Sequence, residues 1–168
     1  MTFKVPENDN RLRHQCQSCH HIFYENPKTI VGVLPYFKNQ VLLCKRAIEP
    51  QKGLWTLPAG FMEIGESFEE GALREAREEV GIEPVLKELF CMYQVPKIGQ
   101  HYLIFLGEMN NKYFQLGPET SEAKWVDIDK IDFESLAFTA VSFVFKNFQK
   151  WQESPGSLNL PIFEIFKP

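Results

Sequence analysis

The stretch from Gly60 to Ile82, GFMEIGESFEEGALREAREEVGI, constrains this chain more than any other. Ser67 followed three residues on by Glu70 is a capping box, which satisfies N–H groups that a helix start otherwise leaves unpaired. It predicts a helix beginning near Phe68. Gly81 is the predicted stop, because glycine enters the left-handed conformation at little cost. At the α-helical period, Ala72, Leu73, Ala76 and Val80 share an arc that can face a core. Glu75, Glu78 and Glu79 share the neighbouring arc, and Glu70–Arg74 has the i,i+4 spacing of an ion pair. Three carboxylates on one arc repel one another. Hard divalent cations want clustered oxygen ligands and would relieve that repulsion. A solvated acidic face is the other meaning of such a run.

The spacing adds to this. Gly60, five residues, Glu66, seven residues, then Arg74-Glu75-Ala76-x-Glu78-Glu79-x-Gly81-Ile82 resembles the Nudix box in every charged and glycine position. Only Ala76 departs, where that family prefers a bulkier aliphatic residue. The preceding Gly53-Leu-Trp-Thr-Leu-Pro-Ala-Gly60 also resembles the strand and loop that lead into the box. The resemblance implies an α/β fold, the Nudix α/β/α sandwich with a mixed sheet. It implies hydrolysis of a nucleoside diphosphate linked to a further group, with Mg²⁺ or Mn²⁺ neutralising the diphosphate. By motif position, Glu75 and Glu79 look like the principal metal ligands, with Glu78 as a further ligand or water-bridged partner. The backbone carbonyl of Ala59 or Gly60 would complete the shell, since glycine lets the main chain approach closely. Arg74 would orient the box glutamates, and Glu66 would do similar work. The general base would come from a box glutamate, Glu78 or Glu79, or from a carboxylate on a later loop, where Glu119 and Glu122 stand; Glu122, which precedes Trp125 as family members often show, is the one the resemblance marks as catalytic.

Upstream, His14-Gln-Cys16-Gln-Ser-Cys19-His20-His21 has the softness and spacing of a zinc knuckle. Three readings are open: a Zn²⁺ site closed by His14 or His20 with Cys16 and Cys19, half of a ribbon whose other half is absent, or a metal-free segment. Tyr24-x-Asn-Pro27 and a Val/Ile strand follow. That order is similar to the zinc-ribbon Nudix hydrolases, which include NADH pyrophosphatases and FAD/ADP-ribose pyrophosphatases. We therefore divide the chain into a partial ribbon over residues 1–27 and a Nudix domain over residues 28–168. Cys44 and Cys91 lie in strand-like segments and read as core thiols.

Between and beyond these motifs, Thr29–Phe37 and Gln40–Arg46 read as a hairpin around Lys38-Asn39. Val85–Val95 and Gln100–Glu108 read as strands, the second apolar on both faces and so central. His101 could face a ligand, but the reading taken is a satisfied structural histidine; Trp55 reads as core or sheet packing rather than a base-stacking surface. Asn110–Thr120 is a loop, and Glu122–Val126 a short strand. Val141, Val144, Phe145, Phe148 and Trp151 repeat at helical spacing over Thr139–Gln152 and mark a core stripe. Ser154-Pro-Gly156 ends that helix. An apolar tail over 157–168 either covers the domain or packs on a second subunit, and a homodimer is also what the family resemblance implies.

A net charge of −4 argues against a general nucleic-acid binder. There is no apolar N-terminal run and no stretch of membrane-spanning length, so the reading is a cytoplasmic protein with no membrane partner. The substrate reading comes from the resemblance. NADH pyrophosphatases carry a Ser-Gln-Pro-Trp-Pro-Phe-Pro-type segment, where this chain has Met92-Tyr-Gln-Val-Pro96-Lys-Ile-Gly-Gln100. Ile98-Gly-Gln-x-Tyr102, Gly117-Pro-Glu119 and Ser135-Leu-Ala-Phe138 look more like the FAD/ADP-ribose group. The expected substrate is ADP-ribose or FAD, releasing AMP. The alternatives are NADH, another dinucleotide, a nucleotide sugar, or a non-hydrolytic nucleotide-binding module. The complete set Glu75, Glu78 and Glu79 speaks against the last.

Overall fold

The computed structural model describes residues 1–154 and 158–167. In chain order the strands are β1 (Thr2–Lys4), β2 (Arg13–Gln15), β3 (Ile22–Phe23), β4 (Lys28–Phe37), β5 (Gln40–Arg46), β6 (Trp55–Thr56) and β7 (Ala59–Phe61). Helix α1 (Phe68–Val80) follows. Then come β8 (Val85–Val95), β9 (Gln100–Glu108), β10 (Thr120–Asp127), α2 (Thr139–Glu153) and β11 (Ile162–Ile165). The first three strands form a small sheet of their own. The rest form one mixed sheet in the order β10-β5-β4-β9-β8-β11, with β6 on β5 and β7 on β4.

The local rules hold at α1. The Glu70 N–H donates to Ser67 Oγ at 3.2 Å and the Ser67 N–H donates to the Glu70 carboxylate at 2.7 Å, closing the capping box. Gly81 takes φ 60°, and its N–H reaches the carbonyls of Ala76 and Arg77. Ala72, Ala76 and Val80 are buried against Val31, Val33, Leu103 and Phe105 on one sheet face. Their small size lets α1 lie close to the strands. On the other face Val141, Val144, Phe145 and Phe148 of α2 pack on Leu34, Val41, Phe90, Ile104 and Leu106. The α/β/α sandwich that the resemblance implied is therefore present, and β9 supplies core residues to both layers, as its two apolar faces require.

One departure from regular pairing creates the cleft. Strands β4 and β5 pair only at their hairpin end, Tyr36 with Val41 and Phe37 with Gln40. Beyond that they splay. The near half of β4 takes β7 as its partner through Ile30–Gly32, and the far half of β5 takes β6 through Cys44–Lys45. The segment Trp55–Phe61 is wedged into the split. Gly32 is required there, because a Cβ on it would stand 2.4 Å from the Ala59 Cβ.

Cys44 and Cys91 are buried thiols, as expected, and burial raises their pKa, to about 12 for Cys91. Trp55 is buried, with Lys124 Nζ 4.0 Å from its ring centre. Of the apolar tail, Ile162–Ile165 covers the sheet as a parallel edge strand on β8. Pro155, Gly156, Ser157 and Pro168, to which the expected helix stop and the ends of the tail belong, lie outside the described residues. Two expectations are corrected. Glu70 does not pair with Arg74, because its carboxylate is committed to the Ser67 N–H. His101 is not satisfied: its buried Nδ1 has no hydrogen-bond partner among the described residues. It sits in register between Thr29 and Gln94, and neither supplies the missing bond.

Candidate active site

A cleft of about 760 Å³ opens at the split between β4 and β5. Helix α1 supplies Arg74, Glu75, Glu78 and Glu79 to one wall, and β7 supplies Ala59 and Gly60 beside them. The opposite wall is apolar, from Ile98, Tyr102, Ile104, Phe138, Val141 and Val144. The wedged segment is what brings the main chain against the helix. A Cβ on Gly60 would lie 2.4–2.5 Å from the Glu75 carboxylate, so a larger residue there would displace that carboxylate.

The three glutamates of the arc are not equivalent. Glu75 and Glu79 are buried, whereas the Glu78 side chain is 62% exposed. Burial raises the Glu75 carboxyl, opposed by Arg74. Burial first, and then the neighbouring Glu75, push the Glu79 carboxyl up to about 8. Two carboxyls thus share a desolvated corner with one cation between them and the solvent. Arg74 is that cation. It donates to Glu75 at 2.7 Å, to Glu78 at 3.2 Å, to Glu66 at 2.9 and 3.0 Å, and to the Phe61 carbonyl at 3.1 Å. Its fork holds Glu66 at a carboxyl pKa of about 2, with the Glu63 N–H helping. Glu66 in turn ties the loop before the helix to the helix itself.

The two main-chain candidates separate on the ladder. The Met62 N–H donates to the Thr29 carbonyl and the Val33 N–H to the Pro58 carbonyl. Hydrogen-bonded pairs alternate along antiparallel strands, so Gly60, opposite Val31, also faces β4. Ala59 therefore directs its N–H and carbonyl away from β4, and its N–H acts on Glu79.

Of the two later-loop carboxylates, Glu119 lines the cleft and its charge raises both Glu75 and Glu79. Glu122 does not line it. It lies on the edge strand β10, where Lys45 Nζ stands 3.2 Å from its carboxylate. The sequence placed both in the right region, but only Glu119 sits before the β10 bulge between Thr120 and Glu122 that sets the register. The Glu119 loop is locked to α1 by the Gly117 N–H, which donates to the Glu79 carbonyl at 2.8 Å. A Cβ on Gly117 would stand 1.8 Å from the Glu78 carbonyl oxygen. We expect Gly117→Ala to cost about 1–3 kcal/mol in urea unfolding, because backbone must move.

Arg46 and Tyr102 are cleft residues that the motif did not mark. The signal for Arg46 in the sequence was only its place at the end of a strand.

The ribbon end is less complete. Cys16 and Cys19 lie on the turn between β2 and β3, with the Cys16 thiol pKa lowered by the backbone N–H groups of Cys19 and Ser18. That is a knuckle ready to present sulfur. His14 packs instead against the Phe3 ring and His21 against Phe23. Among the described residues no three His, Cys, Asp or Glu side chains gather into a metal-holding group, here or in the cleft. Two thiols without further ligands do not fit a structural Zn²⁺ site. The cleft donors do fit a hard cation, because two buried carboxyls whose charged forms burial disfavours are the groups a divalent ion would relieve.

The fold and this acidic cleft define a nucleotide-cleaving hydrolase class. The chain belongs to the Nudix family: the NUDIX domain family matches residues 26–146, and the Nudix N-terminal family matches residues 1–25. It is a Nudix pyrophosphohydrolase. Among its relatives is an ADP-ribose pyrophosphatase of Methanocaldococcus jannaschii, 30% identical over 133 residues and 77% of each chain. The NAD-capped RNA hydrolase NudC of Vibrio vulnificus is 31% identical over 131 residues. That match takes in 74% of this chain but only 48% of the Vibrio protein. A Nudix hydrolase crystal structure from Nitrosomonas europaea superposes with a TM-score of 0.84 at 37% identity, covering 98% of this chain and 91% of that one. No helix among the described residues is long and apolar enough to cross a membrane.

Proposed function

We propose that this protein hydrolyses the pyrophosphate bond of an ADP-linked compound, ADP-ribose or FAD, releasing AMP and the phosphate of the other half. The observation that carries the reading is the pairing of buried Glu75 and Glu79 with an apolar wall across one cleft. The glutamates suit the charged centre of the substrate and the wall suits a nucleoside. The likeness to the Methanocaldococcus ADP-ribose pyrophosphatase supports the choice of ADP-ribose. The likeness to NudC keeps dinucleotides as the second reading. Residues 28–168 carry this activity in our reading, and residues 1–27 are an appended ribbon.

Mg²⁺ or Mn²⁺, when bound, supplies charge neutralisation of the diphosphate and activation of water. Glu75, Glu79 and the Ala59 carbonyl would hold it, with Glu78 as the exposed fourth donor. Gly60 leaves that shell, because its carbonyl faces β4. Arg74 positions Glu75 and Glu78 through its Nη1 group, which donates to both. In this reading Glu119, which lines the cleft, accepts the proton of the attacking water, a role supported for it rather than for Glu122 by the cleft lining and by the Lys45 contact of Glu122. Water adds to one phosphorus, the bridging P–O bond breaks, and the bridging oxygen leaves on the other phosphate.

The test is product release from ADP-ribose, FAD, NADH and a nucleotide sugar, each with Mg²⁺ or Mn²⁺. We expect AMP from ADP-ribose or FAD, abolished by EDTA. Turnover confined to NADH would replace the first reading by the second. Binding without any turnover would overturn the hydrolytic assignment for this panel.

A further inference from the structure

Two faces of the cleft are apolar, and a substrate with one ring system fills only one of them. The inner face is the wall of Ile104, Phe138, Val141 and Val144, which suits the adenosine. The other lies at the outer rim. There Phe61 of β7, Ile30 of β4 and Tyr102 of β9 stand in one register row across three adjacent strands, and all three line the cleft. Residues opposite one another on paired strands share a face of the sheet, so the three side chains point the same way. Ile30 is the short one, between two aromatic walls. Strand spacings of about 4.8 Å set the outer two strands roughly 10 Å apart, which admits one planar ring with van der Waals contact of about 3.5–4 Å on each side.

Both walls are held before any ligand arrives. Phe61 is 50% exposed, yet its backbone is fixed twice, by the pairing of β7 with β4 and by Arg74, which donates to its carbonyl at 3.1 Å. Lys28, which lines the neighbouring shallow groove and not the cleft, has its Nζ 5.4 Å from the Phe61 ring centre. That cation–π contact steadies the ring from the groove side and leaves the cleft side open. On the other wall the Tyr102 hydroxyl donates to Gln100 Oε1 at 3.0 Å. The Gln100 amide nitrogen has no hydrogen-bond partner among the described residues, so it remains as a donor beside the slot.

We infer that the row Phe61, Ile30 and Tyr102 is a slot for a planar ring on the second half of the substrate, and that the protein favours ADP joined to such a ring, as in FAD, over ADP-ribose. The inference rests on the reading of the substrate as an ADP-linked compound cleaved at its pyrophosphate. Stacking one ring on an aromatic side chain is worth about five- to a hundredfold in affinity, and the terminal ribose of ADP-ribose has no π face with which to gain it. A rigid platform loses little freedom on binding, so most of that gain is kept. Phe61 takes no part in breaking the bond. It is a specificity-determining residue.

The measurement is kcat/KM on FAD, NADH and ADP-ribose for the wild type, Phe61→Leu and Phe61→Trp, with melting temperatures. In the wild type the better of the two ring-bearing substrates exceeds ADP-ribose by about tenfold or more. Phe61→Leu keeps apolar bulk and loses the π face, and it brings that ratio to within about threefold of one. Phe61→Trp keeps the ratio. A wild type that favours ADP-ribose would overturn the slot. So would a ratio that Phe61→Leu leaves where it was: activities that fall together, with a lowered melting temperature, would make Phe61 a strut of the 61–66 loop. Should the wild type turn over nothing, the functional reading fails separately. The slot is then read by fluorescence titration of FMN with Mg²⁺. FMN affinity about tenfold lower in Phe61→Leu would sustain it, and equal affinities, or no binding by the wild type, would end it.

Discussion

Replacing Glu79 by glutamine is expected to lower turnover about a thousandfold or more and, in the same protein, to raise the stability of the metal-free state at pH 8. The first effect follows from the proposed cation. Removing one charged donor forfeits several kcal/mol of charge stabilisation, and each 1.4 kcal/mol is about tenfold in rate. The second follows from the burial of Glu79 beside Glu75. Its carboxyl is raised to about 8 in the folded chain, against an ordinary value near 4.5. Between those values the folded protein holds a proton that the unfolded chain has lost. Stability contributed by this group is therefore full below about pH 4.5, falls as pH rises towards 8, and is flat above it. The loss across that window is at most roughly 5 kcal/mol, and coupling to Glu75 shares it between the two groups. Glutamine keeps the shape, cannot ionise, and can still accept from the Ala59 N–H. Melting curves in EDTA at pH 5 and pH 8 check this. Between these pH values the melting temperature of the wild type falls several degrees more than that of Glu79→Gln. Mg²⁺ restores more of it at pH 8 than at pH 5. Equal pH slopes for the two proteins would show that Glu79 is not held protonated.

Truncating Arg74 is expected to be the most destabilising change on the exposed side of α1. Its guanidinium bonds Glu66, Glu75, Glu78 and the Phe61 carbonyl, and it is 19% exposed. Arg74→Ala leaves the Glu66 and Glu75 carboxylates without their cation. Breaking a buried pair costs about 3–5 kcal/mol, and partial solvent access here reduces that to about 2–3 kcal/mol. Activity falls as well, by about ten- to a hundredfold, because Glu75 and Glu78 lose the Nη1 group that bridges them. Urea unfolding and Mg²⁺ titration of activity separate the two. Arg74→Lys keeps one bond and loses the bidentate geometry, so it recovers less than half of either loss. Wild-type stability and metal requirement in Arg74→Ala would show that the fork is incidental.

The sites of these two changes were visible early because α1 is written locally. A capping box, a glycine stop and small residues at helical spacing need only near neighbours to act, so the helix bounds and its core face read directly. The same holds for the core stripe of α2 and for the two-faced strand β9. What eluded the sequence was commitment between distant groups. Glu70 had the right spacing for Arg74, but the helix cap took it and Glu66, eight residues away from Arg74, filled its place. Spacing alone did not separate Glu119, which ends on the loop lining the cleft, from Glu122, which lies in β10 beyond its bulge. His101 read as satisfied and is not.

Spacing within single elements was enough for the family, for the helix that carries the acidic arc and for the two layers of the core. How the arc divides is a matter of long-range packing. The splay of β4 from β5 wedges Ala59 and Gly60 against α1, and that contact desolvates Glu75 and Glu79 while leaving Glu78 in water. Helical spacing puts all three glutamates on one side. Which of them feels water depends on what another strand brings against them, and no local pattern in the chain encodes that contact.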